Sequence, residues 1–217
     1  MEQIKSKQRV EDHGEVFTSE REVNAMLDLV RHETERIDSR FLEPACGTGN
    51  FLIEILRRKM DVIFDQYRKS QTECEKYLVI GVGSLYGIDL LEDNVQECRE
   101  RLFQAFSKRY HTSCKPYANK EFENVIRFIL SHNIVCGDAL TMLDLDGEPI
   151  VFSEWSNVTG NLIKRRDFSF SELLRARSKQ TSIFDAGWTS QEKKAEFVPN
   201  PVKEFKAVHY KELIVNE

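Results

Sequence analysis

The chain has no uninterrupted apolar run near the roughly 18 residues a membrane-spanning helix needs, so a spanning protein is not expected. Its first segment, MEQIKSKQRVEDHGE, holds no apolar core of the kind a secretory signal carries, and the expected location is cytoplasmic. C-x-x-C pairs are absent. The five cysteines (Cys46, Cys74, Cys98, Cys114, Cys136) are far apart and odd in number, which suggests neither a zinc site nor a disulfide framework. They read as small, semi-buried hydrophobes in a reducing compartment. The histidines (His13, His32, His111, His132, His209) are scattered without metal-ligand spacing, so no metal is expected. Positive charge is not in excess: the net charge is −5, and any nucleic-acid contact would have to come from a local patch or a partner. Two phosphate signatures are also missing, G-x-G-x-x-G and G-x-x-x-x-G-K-[ST].

What remains is ample for a folded domain. The 217 residues are 41% hydrophobic and 31% charged, enough for a core and for one domain or slightly more. After a polar arm, Ser19 followed by Glu22 has the form of a capping box, and Val23, Met26, Leu27 and Val30 give the helix behind it one apolar face. Arg40-Phe41-Leu42-Glu43 reads as a short strand running into the turn Pro44-Ala45-Cys46-Gly47-Thr48-Gly49-Asn50, then a second helix to about Tyr67. The last part of 78–90 reads as a second strand ending at Asp89, followed by a helix from Asp93. A helix through Phe122, Val125, Ile126, Ile129 and Leu130 leads to a third strand, Asn133 to Cys136, and to Gly137-Asp138-Ala139-Leu140. A fourth apolar run, Pro149 to Phe152, ends in Ser153-Glu154-Trp155-Ser156. Strands alternating with helices predict an α/β fold with a mainly parallel sheet. No internal repeat is visible, and beyond Phe152 the alternation stops.

Three strand ends carry chemistry. Glycines after a strand let the backbone turn sharply and come close to a ligand, and in open α/β sheets such loops lie at the carboxyl edge where ligands bind. A strand-end acid, Glu43, with a short Gly47-x-Gly49 loop suits an adenosyl ligand without phosphates. Asp89 at the second strand tip can accept hydrogen bonds from both ribose hydroxyls. Asp138 at the third can accept from an adenine amine while the Ala139 N–H meets a ring nitrogen. Any one of these alone is an ordinary turn or cap residue; three in order on successive strands point to a ligand site.

These segments together resemble the S-adenosylmethionine-dependent DNA methyltransferases of restriction–modification systems, in particular the adenine-N6 branch. Gly14-Glu15-Val16-Phe17-Thr18 looks like that branch's N-terminal motif, and Phe41 to Phe51 is very similar to its glycine-rich motif. Tyr86-Gly87-Ile88-Asp89 resembles the ribose motif and Cys136-Gly137-Asp138-Ala139-Leu140 the adenine motif. The resemblance covers residues 13 to 153 and implies a Rossmann-like core that binds S-adenosyl-L-methionine and transfers its methyl group to adenine in DNA. Carried over by position, Phe17, Thr18, Glu43, Ala45, Gly47 and Gly49 would hold the methionine portion. Asp89 would hold the ribose, Ile88 or Leu90 would lie against the adenine ring, and Asp138 and Ala139 would bind its edge. The interval from Gly49 to Asp89 is longer than in a compact dinucleotide fold and fits an extended helix.

The departure comes at the fourth strand, where the family places Asn/Asp-Pro-Pro-Tyr/Phe. That motif holds the amine of a flipped adenine and stacks the base on an aromatic ring. No such sequence occurs here; Glu154, as acceptor, and Trp155, as stacking surface, are the candidates at that strand end, with Asn157 and Asn161 as weaker substitutes. About four strands of the sheet are recognisable, so the core reads as incomplete. The expected organisation is an arm (1–12), an S-adenosylmethionine-binding core (13–156) and a basic, irregular extension (157–217). Lys164, Arg165, Arg166, Arg175, Arg177 and Lys179 make 164–179 a solvated charged face or, alternatively, a sequence-blind contact to DNA phosphates. Three readings follow: a subunit whose site a partner completes, a non-catalytic regulatory subunit derived from a methyltransferase, or a divergent enzyme using Glu154 and Trp155.

Overall fold

The computed structural model describes residues 6–13, 16, 18–181 and 199–215, except the side chains of 12–13 and 176–181. The first turn of structure is α1 (Lys7–His13). Helix α2 (Glu20–Asp28) starts at the capping box: the Glu22 N–H donates to the Ser19 side chain and the Ser19 N–H to the Glu22 carboxylate. Val23 and Leu27 are its buried positions. A short helix, α3 (Arg31–Thr34), leads to β1 (Phe41–Glu43).

Between β1 and β2 (Leu85–Asp89) the chain forms two helices, α4 (Asn50–Tyr67) and α5 (Gln71–Gly83), rather than one extended helix. The break is encoded locally, since Ser70 caps α5 by accepting from the Glu73 N–H. A second pair, α6 (Glu92–Ser113) and α7 (Lys120–Asn133), leads to β3 (Ile134–Cys136). The strands are parallel in the order β1-β2-β3. Apolar residues of all four helices, among them Leu52, Leu78, Phe106 and Ile129, form one core with Leu85 and Ile134 of the sheet. Helix α5 packs unusually close: a Cβ at Gly83 would lie 2.7 Å from Trp155 Cδ1.

Two buried charges fasten this layer. Lys59 on α4 donates to the carbonyls of Arg36, Ile37 and Ser39 at 2.7–3.0 Å, closing the loop that enters β1. Burial pulls the Lys59 amine down to about 7, while three carbonyl acceptors for its three N–H bonds favour the ammonium. The Glu75 carboxylate on α5 is fully buried and accepts from the hydroxyls of Tyr110 at 2.7 Å and Tyr210 at 2.8 Å.

The fourth apolar run does not extend the parallel sheet. It becomes β4 (Val151–Asn157), which pairs antiparallel along its whole length with β5 (Leu162–Ser169) across a turn with Gly160 at φ 58°. β5 also pairs with β6 (Lys203–Glu204) and β7 (Val208–His209), giving a second sheet. Within the segment expected to be irregular, the described residues thus include β5, α8 (Phe170–Thr181) and a 3-10 turn, Tyr210–Val215. Position 157 lies inside the β4–β5 pairing, so strand hydrogen bonds cross the expected boundary there.

The alternation of β2 explains how the two sheets meet. Leu85 faces the helices, whereas Tyr86 and Ile88 face the other way and pack with Ile150, Phe152 and Phe170. β4 therefore crosses the back of the parallel sheet, with Ile150 beside Gly137 at the carboxyl edge and Trp155 beside Gly83 at the amino edge. The architecture is α/β, with a three-stranded parallel sheet, helices α4–α7 on one face, and the antiparallel sheet with the start of α8 at its back. Among the described residues no helix is long and apolar enough to cross a membrane.

Candidate functional site

The glycine-rich turn is held from three sides. The Cys46 N–H donates to Ile88 O at 2.8 Å and the Gly49 N–H to Cys46 O at 2.8 Å, so the turn folds over the end of β2. Gly47 (φ 51°) and Gly49 (φ 88°) have left-handed backbone, which side chains with a Cβ rarely adopt. Thr48 between them is buried, and its carbonyl and hydroxyl each accept from Arg101 Nη1 at 2.6 Å. Helix α4 begins at Asn50, directly after Gly49, and no side chain caps its N-terminus.

Asp89 lies against this turn. Its Oδ2 accepts from the Gly47 N–H at 2.8 Å, and its Oδ1 accepts from the Leu91 N–H at 3.0 Å and from Asn94 Nδ2 at 3.1 Å. Asn94 Oδ1 in turn accepts from Arg9 of α1, which pairs with Asp93 at 2.7 Å. A carboxylate has about four acceptor positions, so Asp89 keeps room for a further donor while fastening the turn to the start of α6.

The other strand-end groups are gathered at the same edge. Glu43 ends β1 half-buried; burial raises its carboxyl above the ordinary range against one long bond from the Ala45 N–H, 3.4 Å. Asp138, past the end of β3, accepts from the Leu140 N–H at 2.8 Å through Oδ1, and its Oδ2 makes no hydrogen bond among the described residues. Thr18 reaches the site through its carbonyl, which accepts from Asn50 Nδ2 at 2.9 Å. Phe17, with Gly14 and Glu15, lies outside the described residues. Ile88 is completely buried at the back of the sheet, while Leu90 is exposed beside Asp89, which leaves Leu90 accessible to an adenine ring. Ala139 packs on the back-face cluster. Cys46 offers no thiolate: a hydrogen bond with Cys98, together with burial, pushes its pKa far up.

Glu154 and Trp155 are elsewhere. β4 carries them to the amino edge of the parallel sheet, where Glu154 is buried between Arg40 and Arg166 and Trp155 packs against Phe128 and His132. The reason is the direction of β4, which runs against the parallel strands instead of beside them. A groove of about 590 Å³ opens at this same edge, lined by Ile37, Val62, Tyr77, Tyr86 and Trp155.

The basic stretch is also not a free cationic face. Lys164 pairs with Glu204, Arg165 with Asp167, Arg166 with Glu154 and Arg175 with Glu172; the side chains of Arg177 and Lys179 are not among the described ones. Arg165 is buried, bonded to Ser153 and Asp167 and stacked on Phe205 at 4.3 Å. The strand alternation of 162–169 turns Arg165 inward and leaves Lys164 and Arg166 only partly buried.

Asn50, Asn94 and Arg101 support the turn without having stood out in the sequence, because single polar residues on helices read as solvent-facing. The only hint was position: Asn50 directly follows Gly49 and Asn94 directly follows the Asp93 that opens the helix. Among the described residues no group of three or more His, Cys, Asp or Glu could hold a metal ion. Comparison with protein-family models, with curated proteins and with solved structures gives no match to this chain.

Proposed function

We propose that the chain is an S-adenosyl-L-methionine-binding subunit related to DNA adenine-N6 methyltransferases, and that methyl transfer to adenine requires a catalytic element from a partner. The observation that carries this reading is the meeting of Glu43, the Gly47–Gly49 turn, Asp89 and Asp138 at one edge of three adjacent parallel strands. The donor set suits the cofactor: carboxylates offer acceptors to an ammonium, to ribose hydroxyls and to an adenine amine, while Arg101 and Arg9 beside the turn are engaged with Thr48 and Asn50 and with Asn94 and Asp93. When bound, the cofactor supplies an already activated methyl group, so what remains for the protein is binding and orientation.

In this reading Thr18, Glu43, Ala45 and the turn hold the methionine portion, Asp89 the ribose, and Asp138 with Ala139 the adenine edge. Holding and stacking a flipped target base falls to the partner, because Glu154 is committed to Arg40 and Arg166, and Trp155 to the core. A partner rather than residues 164–179 is then the source of DNA contact, since Lys164, Arg165, Arg166 and Arg175 already face carboxylates. The alternative, a non-catalytic regulatory subunit with a vestigial site, is favoured by the three bonds Asp89 makes to the chain itself.

The test is calorimetric titration of the full chain with S-adenosylmethionine, alongside an assay for labelled methyl transfer to adenine-containing duplex DNA. Micromolar binding without transfer is expected. Absence of binding at millimolar ligand refutes the cofactor reading and favours the vestigial site, and transfer by the chain alone refutes the need for a partner.

A further inference from the structure

Arg101 is the residue outside the sequence motifs most directly engaged with the glycine-rich turn. It projects from α6, two turns beyond Asn94, and its Nη1 lies 2.6 Å from both Thr48 O and Thr48 Oγ1 and 3.0 Å from Asn50 Oδ1. A guanidinium nitrogen has two N–H bonds, so one of them is shared among these acceptors. The Thr48 carbonyl is the acceptor between the two left-handed glycines, and Arg101 fixes it toward α6. Asn50, held through its Oδ1, uses its Nδ2 to grip the Thr18 carbonyl. One guanidinium thereby sets the turn and, through Asn50, the segment that leads into α2. Charge-assisted bonds of this length are roughly twice as strong as neutral ones.

Asp89 braces the same turn from the other side, through Gly47, and is tied in turn to Asn94 and Arg9. Among the described residues the two braces share none. We propose that Arg101 is a positioning residue for the methionine end of S-adenosylmethionine, acting through Thr48, Asn50 and Thr18, while Asp89 serves the ribose end. This rests on the cofactor reading above and assigns to it a residue that does not itself touch the ligand. Preorganised binding groups raise affinity by removing the ordering cost at the moment of binding, so loosening one brace weakens the ligands that use it and spares those that do not.

The experiment compares S-adenosylhomocysteine, which has the amino-acid end, with 5′-methylthioadenosine, which lacks it, by calorimetry on the full chain. Arg101→Met is expected to weaken S-adenosylhomocysteine by roughly tenfold or more and to leave methylthioadenosine unchanged. Arg101→Lys, which keeps one charged donor, is expected to fall between, and it carries the test if the methionine variant does not fold. Gln104→Ala, on the same helix and exposed, serves as the control that changes neither ligand. Equal affinities for S-adenosylhomocysteine in the parent and in both Arg101 variants overturn the proposal alone. Equal losses for both ligands overturn it too, since the residue then stabilises the fold generally. If the parent binds neither ligand, the cofactor reading itself is wrong and the proposal falls with it.

Discussion

Glu43 and Asp89 end neighbouring strands, yet they stand in different electrostatic situations. Asp89 is stabilised by three donors, whereas Glu43 is half-buried with one long bond, and burial raises its pKa above 4.5. The folded state therefore holds the Glu43 proton more tightly than the unfolded chain does. Its contribution to stability is present below the unfolded value and is lost as pH rises through the folded one. Glu43→Gln is expected to melt higher than the parent near pH 7 and at the same temperature near pH 4. A lower melting temperature near pH 7 would show instead that the carboxylate stabilises the fold. The same substitution is expected to weaken S-adenosylmethionine, so stability and ligand binding pull in opposite directions at this residue. Asp89→Ala is a poorer probe, because it also releases Gly47 and Asn94; Asp89→Asn, which keeps one acceptor oxygen, separates ligand from loop more cleanly. The motif residues of this edge were legible because they fall in order at three successive strand ends, although each alone is an ordinary turn or cap residue. Arg101 was not, since its acceptors come from a turn distant in sequence.

Of two glycines with left-handed backbone, one lies where elements meet tightly and the other in open space. A Cβ at Gly49 would sit 2.6 Å from Cys98 Sγ on top of a left-handed backbone, whereas Gly147, also left-handed (φ 81°), has nothing within 4 Å. Gly147→Ala is expected to lose only the backbone part, about 1–2 kcal/mol, and Gly49→Ala distinctly more. Cys98→Ala should recover the difference at Gly49 and none at Gly147 in a urea-unfolding double-mutant cycle. Strict additivity at Gly49 would mean that the turn and α6 do not touch as described. Trp155 tests the placement of β4: buried against α7, with Gly83 of α5 beneath it, Trp155→Ala is expected to destabilise by about 3–5 kcal/mol. A stability change below about 1 kcal/mol would put the indole outside the core and reopen its role as a stacking surface. The sequence did carry a sign of the β4–β5 hairpin, Thr159-Gly160-Asn161 between two strand-like runs, but the cations that follow obscured it. Strand alternation, not charge count, decided where Arg165 went.

At the scale of the whole molecule the chain's C-terminal part closes the helical layer. Tyr210 and Leu213 join the core of α4–α7, and the Tyr210 hydroxyl supplies one of the donors to the fully buried Glu75, with Lys211 Nζ at 3.4 Å from the same carboxylate. A buried carboxylate deprived of a donor keeps its desolvation penalty, so Tyr210→Phe is expected to lower stability by about 1–3 kcal/mol in urea unfolding. An unchanged midpoint would show that Glu75 is satisfied without the C-terminal turn. Among the described residues beyond 156, β5 pairs with β4, and Tyr210 is part of the main apolar cluster.

The order of strand, turn and helix through β3 (except for the second helix between β1 and β2), the capping box at Ser19, and the three strand ends that carry carboxylates were determined by sequence alone. Each is set by neighbours within a few residues: apolar spacing, a capping side chain, a glycine where the backbone turns left-handed. The course of β4 was decided only by tertiary structure. Its apolar residues could satisfy a parallel sheet edge or the back of that sheet equally well, and the sequence does not distinguish them. The available partner strand decided it, because β5 brings Arg166 to Glu154 and pairs with β4 residue for residue. That pairing places Glu154 and Trp155 at the amino edge of the parallel strands, away from Asp89, and with them the candidate for catalysis that the sequence had offered.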